Sequence, residues 1–256
     1  MLKFNVFFVL LSTYLCSGSK KIDVDTKILG GDTAPDGTIK YQVSLQNVGS
    51  HFCGASIIDP KWVLTAAHCT ENRPAKSFKV VVGINSLSSK GQQYTPDKVI
   101  IHPDYDTKLI VNDLSLVRIP EGIEMNSRVQ PIALPKTNTK AGDTVTVTGW
   151  GRTSNDGPIP DKLQIINETA IAVKECQIKY RTAKPPIRRT HLCLSAPSHE
   201  GSCQGDSGGP LAQDNAIVGL VSWGPEACGH SKRTPDVNTR VYSYVDWIKE
   251  TMEKNN

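Results

Sequence analysis

The sequence predicts an all-β protein, a sandwich or a pair of barrels, closed off by one C-terminal helix. Two observations carry this. After about residue 28 the chain breaks into short β-branched runs separated by Gly, Pro, Asn and Asp, at the fairly even spacing of antiparallel strands. Only the end of the chain has a helical period: Val241, Val245, Ile248 and Met252 recur at steps of four, three and four. The 256 residues can form one large domain or two small ones, with no internal repeat or low-complexity linker between them.

From the start of the chain, residues 1–18 combine an early lysine, an apolar run from Phe4 to Leu15 and small residues at Cys16–Gly18. That is the pattern of a secretory signal peptide cleaved after Gly18, and its run is shorter than the ~20 residues that span a bilayer. A secreted, extracellular protein without membrane attachment is expected. Strands are expected in "QVSL" (42–45), "WVLTA" (62–66), "FKVVVG" (78–83), "TVTVTGWG" (144–151) and "AIVGLVSWG" (216–224). The helix near the C-terminus should dock its apolar stripe on the body, as core rather than binding face. A net charge of +4 without a Lys/Arg stripe excludes a nucleic-acid partner, and the basic stretch at 181–189 reads as a solvated loop.

Cysteine usage agrees with secretion. Cys16 leaves with the signal, and Cys53, Cys69, Cys176, Cys193, Cys203 and Cys228 remain, which in an oxidising compartment implies three disulfides. Six cysteines allow about 15 pairings, and spacing alone does not choose among them. No C-x-x-C pair and no His pair at ligand spacing is present, so neither a metal nor another cofactor is expected.

Three polar residues interrupt apolar or glycine-rich surroundings: His68 in "VLTAAHC", Asp113 in "IVNDLSLVRI" and Ser207 in "GDSGGP". Singly, each has an ordinary reading as core, strand edge or turn. Together they supply what acyl transfer needs: a hydroxyl nucleophile, a base titrating near neutrality and a buried acid to orient that base.

In that order, "LTAAHC", "NDLSLVRI", "VTGWG", "CQGDSGGPL" and "VSWG" resemble the trypsin/chymotrypsin family of serine proteases, a likeness extending over residues 28–254. The resemblance implies two six-stranded antiparallel barrels with the active site between them, His68 as general base and acid, Asp113 as its orienting partner and Ser207 as nucleophile. The template for these roles is this same family, so they are carried over. It also implies an oxyanion hole from the backbone of Gly205 and Ser207, and disulfides Cys53–Cys69, Cys176–Cys193 and Cys203–Cys228. "DTKILGGDTAP" resembles an activation site. Residues 19–27 would be the propeptide, cut after Lys27 by a trypsin-like protease so that the amine of Ile28 pairs with Asp206. His51 stands where some family precursors hold that acid, with an ordinary strand residue as the alternative. Losing residues 1–27 removes four lysines against two aspartates and leaves the remainder close to neutral.

By the same resemblance, Gly201, Ser202, Gln204, Ser222, Trp223, Gly224 and Asp236 line the substrate pocket. Trypsin-like relatives carry an aspartate at the position of Gly201, so the counter-charge for Lys or Arg is missing and Phe, Tyr or Leu is expected before the cut. Asp236, on the opposite wall, could be solvated, protonated by burial or attractive to basic side chains. Glycine on the floor with aspartate opposite also occurs in some arthropod chymotrypsins and broad-specificity crab collagenases, and the overall pattern is nearest to insect chymotrypsins of the hymenopteran type. Residues 84–93 contain no Asp or Glu, so no calcium site is expected there. Asn167 heads the only N-x-S/T sequon, which is usable only if exposed. The expected partners are protein or peptide substrates, the activating protease and protease inhibitors, with the chain a monomer. The rival readings are a narrow regulatory cascade protease and a non-catalytic homologue acting as a binding protein.

Overall fold

The computed structural model describes residues 31–181, 185–197, 200–225, 228 and 234–256. The expected signal peptide, propeptide, Lys27 and Ile28 lie outside these residues. Strand β1 (Asp32–Thr33) opens the described chain and pairs across to the second half. The first half is built from β2 (Gln42–Asn47), β3 (Ser50–Asp59), β4 (Trp62–Thr65), β5 (Lys79–Val82), β6 (Gln92–Tyr94), β7 (Lys98–Ile101) and β8 (Ser115–Arg118), in the order β6-β5-β2-β3-β4-β8-β7. A single helical turn, α1 (Ala67–Thr70), follows β4. Val43, Leu45, Ala55, Ile57, Val63, Val80, Val82 and Val117 fill the inside of this curled sheet. β6 and β7 form its two edges, so the sheet is rolled without being closed by a hydrogen-bonded ladder.

The second half is a closed barrel. It contains β9 (Thr144–Gly149), β10 (Gln164–Ala170), β11 (His191–Ser195), β12 (Pro210–Gln213), β13 (Ala216–Trp223) and β14 (Asp236–Arg240), and β10 pairs with both β9 and β11 to complete the ring. Helix α2 (Val173–Lys179) carries Cys176 against β11. The two-barrel, all-β architecture is thus the one the sequence predicts, with closure by ladder in the second half alone.

The halves are joined by a shared apolar layer. Trp62, Leu64, Leu114 and Leu116 from the first pack with Ile217, Leu220, Val241, Tyr244 and Ile248 from the second. The final helix α3 (Val245–Lys254) docks on this layer through Ile248 and Met252, as the period predicts, while Val245 is only half-buried. Burial of such side chains contributes roughly 1.5–3 kcal/mol each. No helix among the described residues is long and apolar enough to cross a membrane. The disulfides are Cys53–Cys69, Cys176–Cys193 and Cys203–Cys228, the pairing the family resemblance implies.

Candidate active site

His68 sits on α1, pinned by the Cys53–Cys69 bridge that ties the turn back to β3. Asp113 lies in the approach to β8 and is almost fully buried, at 1% exposure. Its Oδ1 accepts the backbone amide of His68 at 2.9 Å, and its Oδ2 accepts imidazole Nδ1 at 2.8 Å. Nδ1 therefore carries the hydrogen, and the lone pair is left on Nε2, the atom a general base uses.

The second half grips the same acid. The Ser222 hydroxyl donates to Asp113 Oδ2 at 2.5 Å, and Thr239 Oγ1 donates to its carbonyl at 2.7 Å. Burial alone would raise the Asp113 pKa, but its bonds to His68 and Ser222 hold the group below the usual carboxylate value. Burial likewise works against His68⁺, and the Asp113 hydrogen bond and charge more than reverse it, so the imidazole pKa is raised. Ser222, which the family resemblance assigns to the substrate pocket, thus also holds Asp113.

Ser207 occupies the turn before β12. Its carbonyl accepts the amide of Gly54 at 2.8 Å, which sets the Ser207 turn against β3. Gly54 is a contact glycine: a Cβ there would meet the Gly209 Cα at 2.7 Å. No hydrogen bond joins Ser207 to His68 Nε2, which lies 3.7 Å from Cys69 Sγ. Such nucleophile–base pairs commonly tighten only under substrate. Cys53, His68 and Cys69 cluster within 4.8 Å, but both sulfurs are spent on the disulfide, leaving the imidazole alone as a potential ligand.

The amides of Gly205 and Ser207 donate to no carbonyl among the described residues, so both are available to an incoming oxygen. Gly205 holds φ at +104°, a conformation that favours glycine. Its carbonyl is fixed from behind by His51 Nε2 at 2.9 Å, while His51 Nδ1 meets Ser44 Oγ at 2.8 Å. Because Nε2 must donate to a carbonyl, Nδ1 accepts from the serine. Burial lowers the His51 pKa and keeps this ring neutral. In this structure His51 braces the Gly205 loop and makes no hydrogen bond to Asp206.

Asp206 is fully buried. Its oxygens accept the amides of Gly151 at 2.7 Å and Cys203 at 2.9 Å. Gly149 and Gly151 make room for it, since a Cβ on either would come within 2.1 Å of a carboxylate oxygen. Burial pushes its pKa up to about 6, against the two amide bonds, and it has no ion-pair partner among the described residues.

Beside Ser207 opens a cavity of about 160 Å³ lined by Ser202, Gln204, Ser222, Trp223, Gly224 and Asp236. Gly201, expected on the pocket wall, is buried and absent from the cavity lining, and its φ of +141° makes glycine here a backbone requirement as well as a missing charge. Asp236 is buried, its Oδ2 accepting the Ser202 hydroxyl at 3.1 Å and facing the Ser202 amide at 3.4 Å. A Cβ on Gly224 would meet Asp236 Oδ1 at 2.6 Å, so the glycine is what allows the carboxyl to occupy that wall. Burial, opposed by the Ser202 bonds, pushes Asp236 up to about 7. Asp236 is therefore not fully solvated. Asn167 is exposed on β10, and its Oδ1 accepts the Thr146 hydroxyl at 2.8 Å.

An imidazole held by a buried acid, two unengaged amides and a half-buried serine beside a side-chain pocket could together carry hydrolysis by acyl transfer. Comparison with known proteins places it more closely. The Trypsin family model matches residues 28–248. Chymotrypsin-2 of Vespa crabro is 40% identical over 225 residues, covering 87% of this chain and 99% of that protein. Serine protease 1 of Homo sapiens is 36% identical over 253 residues, covering 96% and 98%. Among solved structures, neuropsin, a serine protease expressed in the limbic system of mouse brain, superposes with a TM-score of 0.81 at 30% identity, over 88% of this chain and all of that one. The chain belongs to the trypsin family of serine proteases. It is a serine endopeptidase.

Proposed function

We propose that the chain is a secreted endopeptidase made as an inactive precursor, activated by a cut after Lys27, with a chymotrypsin-like preference for Phe, Tyr or Leu before the scissile bond. The pocket carries this reading: beside Ser207 stand Ser202, Gly224 and a partly protonated Asp236, with Gly201 where trypsin-like relatives have a fixed charge. In the reaction, Ser207 Oγ attacks the carbonyl carbon while His68 Nε2 takes its proton. The oxyanion settles on the Gly205 and Ser207 amides, each of which contributes on the order of 3–4 kcal/mol to the transition state. His68 then gives the proton to the leaving amine, and water releases the acyl-enzyme by the same steps in reverse roles.

Activation is supported by two observations. The family match begins at Ile28, and Asp206 is a buried carboxyl held by amides but lacking a cation among the described residues. A new α-amine arriving there would supply the missing charge. An apolar leader in residues 1–18 and three disulfides support secretion. A trypsin-like activator, protein substrates, protease inhibitors and a monomeric state complete the reading, and the exposure of Asn167 suits a glycan.

The test is kcat/KM on matched peptides differing only in Phe, Leu or Arg before the cut, using enzyme activated at Lys27 and shown to begin at Ile28. Phe and Leu should exceed Arg by about a hundredfold at weakly acidic pH, equivalent to about 3 kcal/mol. Arg within about tenfold of Phe at that pH would replace the chymotrypsin-like assignment with a broad one. No turnover of any peptide would remove the catalytic reading.

A further inference from the structure

The chemistry above leaves one buried acid without a task. Along β10 the positions Gln164, Ile166, Glu168 and Ala170 are buried, alternating with the more exposed Ile165, Asn167 and Thr169. The ladders carry this inner face across the barrel: Ala170 lies opposite Leu194 of β11, and Leu194 lies opposite Asp236 of β14. Cross-strand partners share a face, and Glu168 is two residues from Ala170, so Glu168 and Asp236 project from the same face. The two are 2% and 5% exposed. The amide of Ser202, on the pocket wall, faces both carboxyls.

Their hydrogen bonding is unequal. Asp236 accepts from Ser202, whereas neither oxygen of Glu168 has a hydrogen-bond partner among the described residues. A carboxyl buried on such terms keeps its proton well above the usual range. Burial, reinforced by Asp236, Asp206 and Glu200 and opposed only by the Ser202 amide, raises Glu168 well above an ordinary glutamate. Among the described residues, the other groups around the pair do not offset this. Val145 is the neighbour on β9, the Tyr180 phenol donates to the carbonyl of Pro235, and Arg240 of β14 spends its guanidinium on His191 O, Asn138 Oδ1 and Thr139 O.

We propose that Glu168 is a specificity-determining residue of the substrate pocket, forming with Asp236 a two-carboxyl floor that gains its charges one after the other as pH rises, so that preference swings from neutral toward cationic side chains. The proposal rests on the pocket reading given above. Glu168 acts on the substrate through the field beneath Ser202 and is a positioning residue for charge, not a catalytic one. Two like charges in one buried site ionise in separate steps belonging to the pair.

The experiment is the ratio of kcat/KM for matched Arg and Phe peptides from about pH 6 to about pH 10, since titration of His68 is common to both substrates and cancels. In the wild type the Arg/Phe ratio should climb about tenfold or more in two steps, one near neutrality and one more alkaline. Glu168→Gln should keep the first step and lose the second. Asp236→Asn should lose the first and bring the remaining step to lower pH, because the like charge that delays Glu168 is gone. A flat wild-type ratio, or a Glu168→Gln profile superimposable on the wild type, would overturn the proposal. Neither result touches the protease reading, which Phe-peptide turnover tests separately. Should Glu168→Gln fail to fold, the wild type decides alone: affinity for benzamidinium relative to neutral indole should tighten in two steps, and a single step refutes the role of Glu168.

Discussion

Asp113 receives bonds from His68 of its own half and from Ser222 and Thr239 of the other, so its position is over-determined. Replacing it with asparagine keeps the size but presents an amide to Nδ1, which favours the wrong tautomer of His68. For Asp113→Asn we expect kcat to fall by roughly 10⁴, the magnitude established for this change in the family's template enzyme, with KM little altered. Steady-state kinetics checks both. A loss under tenfold would mean that the acid does not set the tautomer. The raised His68 pKa places the acid limb of the kcat/KM profile above the unperturbed imidazole value, because the neutral ring is the base.

The turn between β11 and β12 gathers Gly205, Asp206 and Ser207, the proposed oxyanion amides and nucleophile among them, with Gly149, Gly151 and Gly54 clearing space around it. In the uncut chain of the proposed activation, Asp206 is a buried carboxyl whose folded pKa of about 6 lies above the ordinary value of 3.8. The folded state therefore holds its proton more tightly than the unfolded chain, and the stability this gives is lost as pH rises through the folded pKa. Relative to Asp206→Asn, the wild-type precursor should lose on the order of 3 kcal/mol between about pH 4 and pH 6, with no further loss above. Thermal unfolding of both precursors across that range measures it. After the cut at Lys27 the order should reverse, with wild type the more stable, because the Ile28 amine then pairs with the acid. An unchanged order would argue against that pairing.

At the scale of the molecule, β-branched runs mark the strands in the sequence, and polar residues set among apolar ones mark the proposed catalytic groups. His68, Asp113 and Ser207 stand out because each breaks a local pattern, and the disulfide pairing follows from the family likeness where composition leaves it open. Other features were not legible, for physical reasons. That β6 and β7 do not pair with each other depends on how far the first sheet curls, which no single strand encodes. The bond from Ser222 to Asp113 spans 109 positions of chain and has no local signature. Glu168 did leave a trace, since the alternation in "QIINETA" places it on the inner face with Ile166 and Ala170. Its place beside Asp236 depends on the strand order β10-β11-β14, which no local run encodes.

The Gly54–Ser207 bond couples two bodies that each have their own core. Sliding one half against the other by an ångström would leave nearly every strand ladder intact while separating hydroxyl from imidazole. The reactive geometry is thus a sensor of docking, more fragile than the halves it joins. In a urea series, hydrolysis should fade at lower denaturant than the far-ultraviolet dichroism, and the interval between the two midpoints would measure the strength of the seam. Coincident midpoints would mean that the halves melt as one cooperative unit.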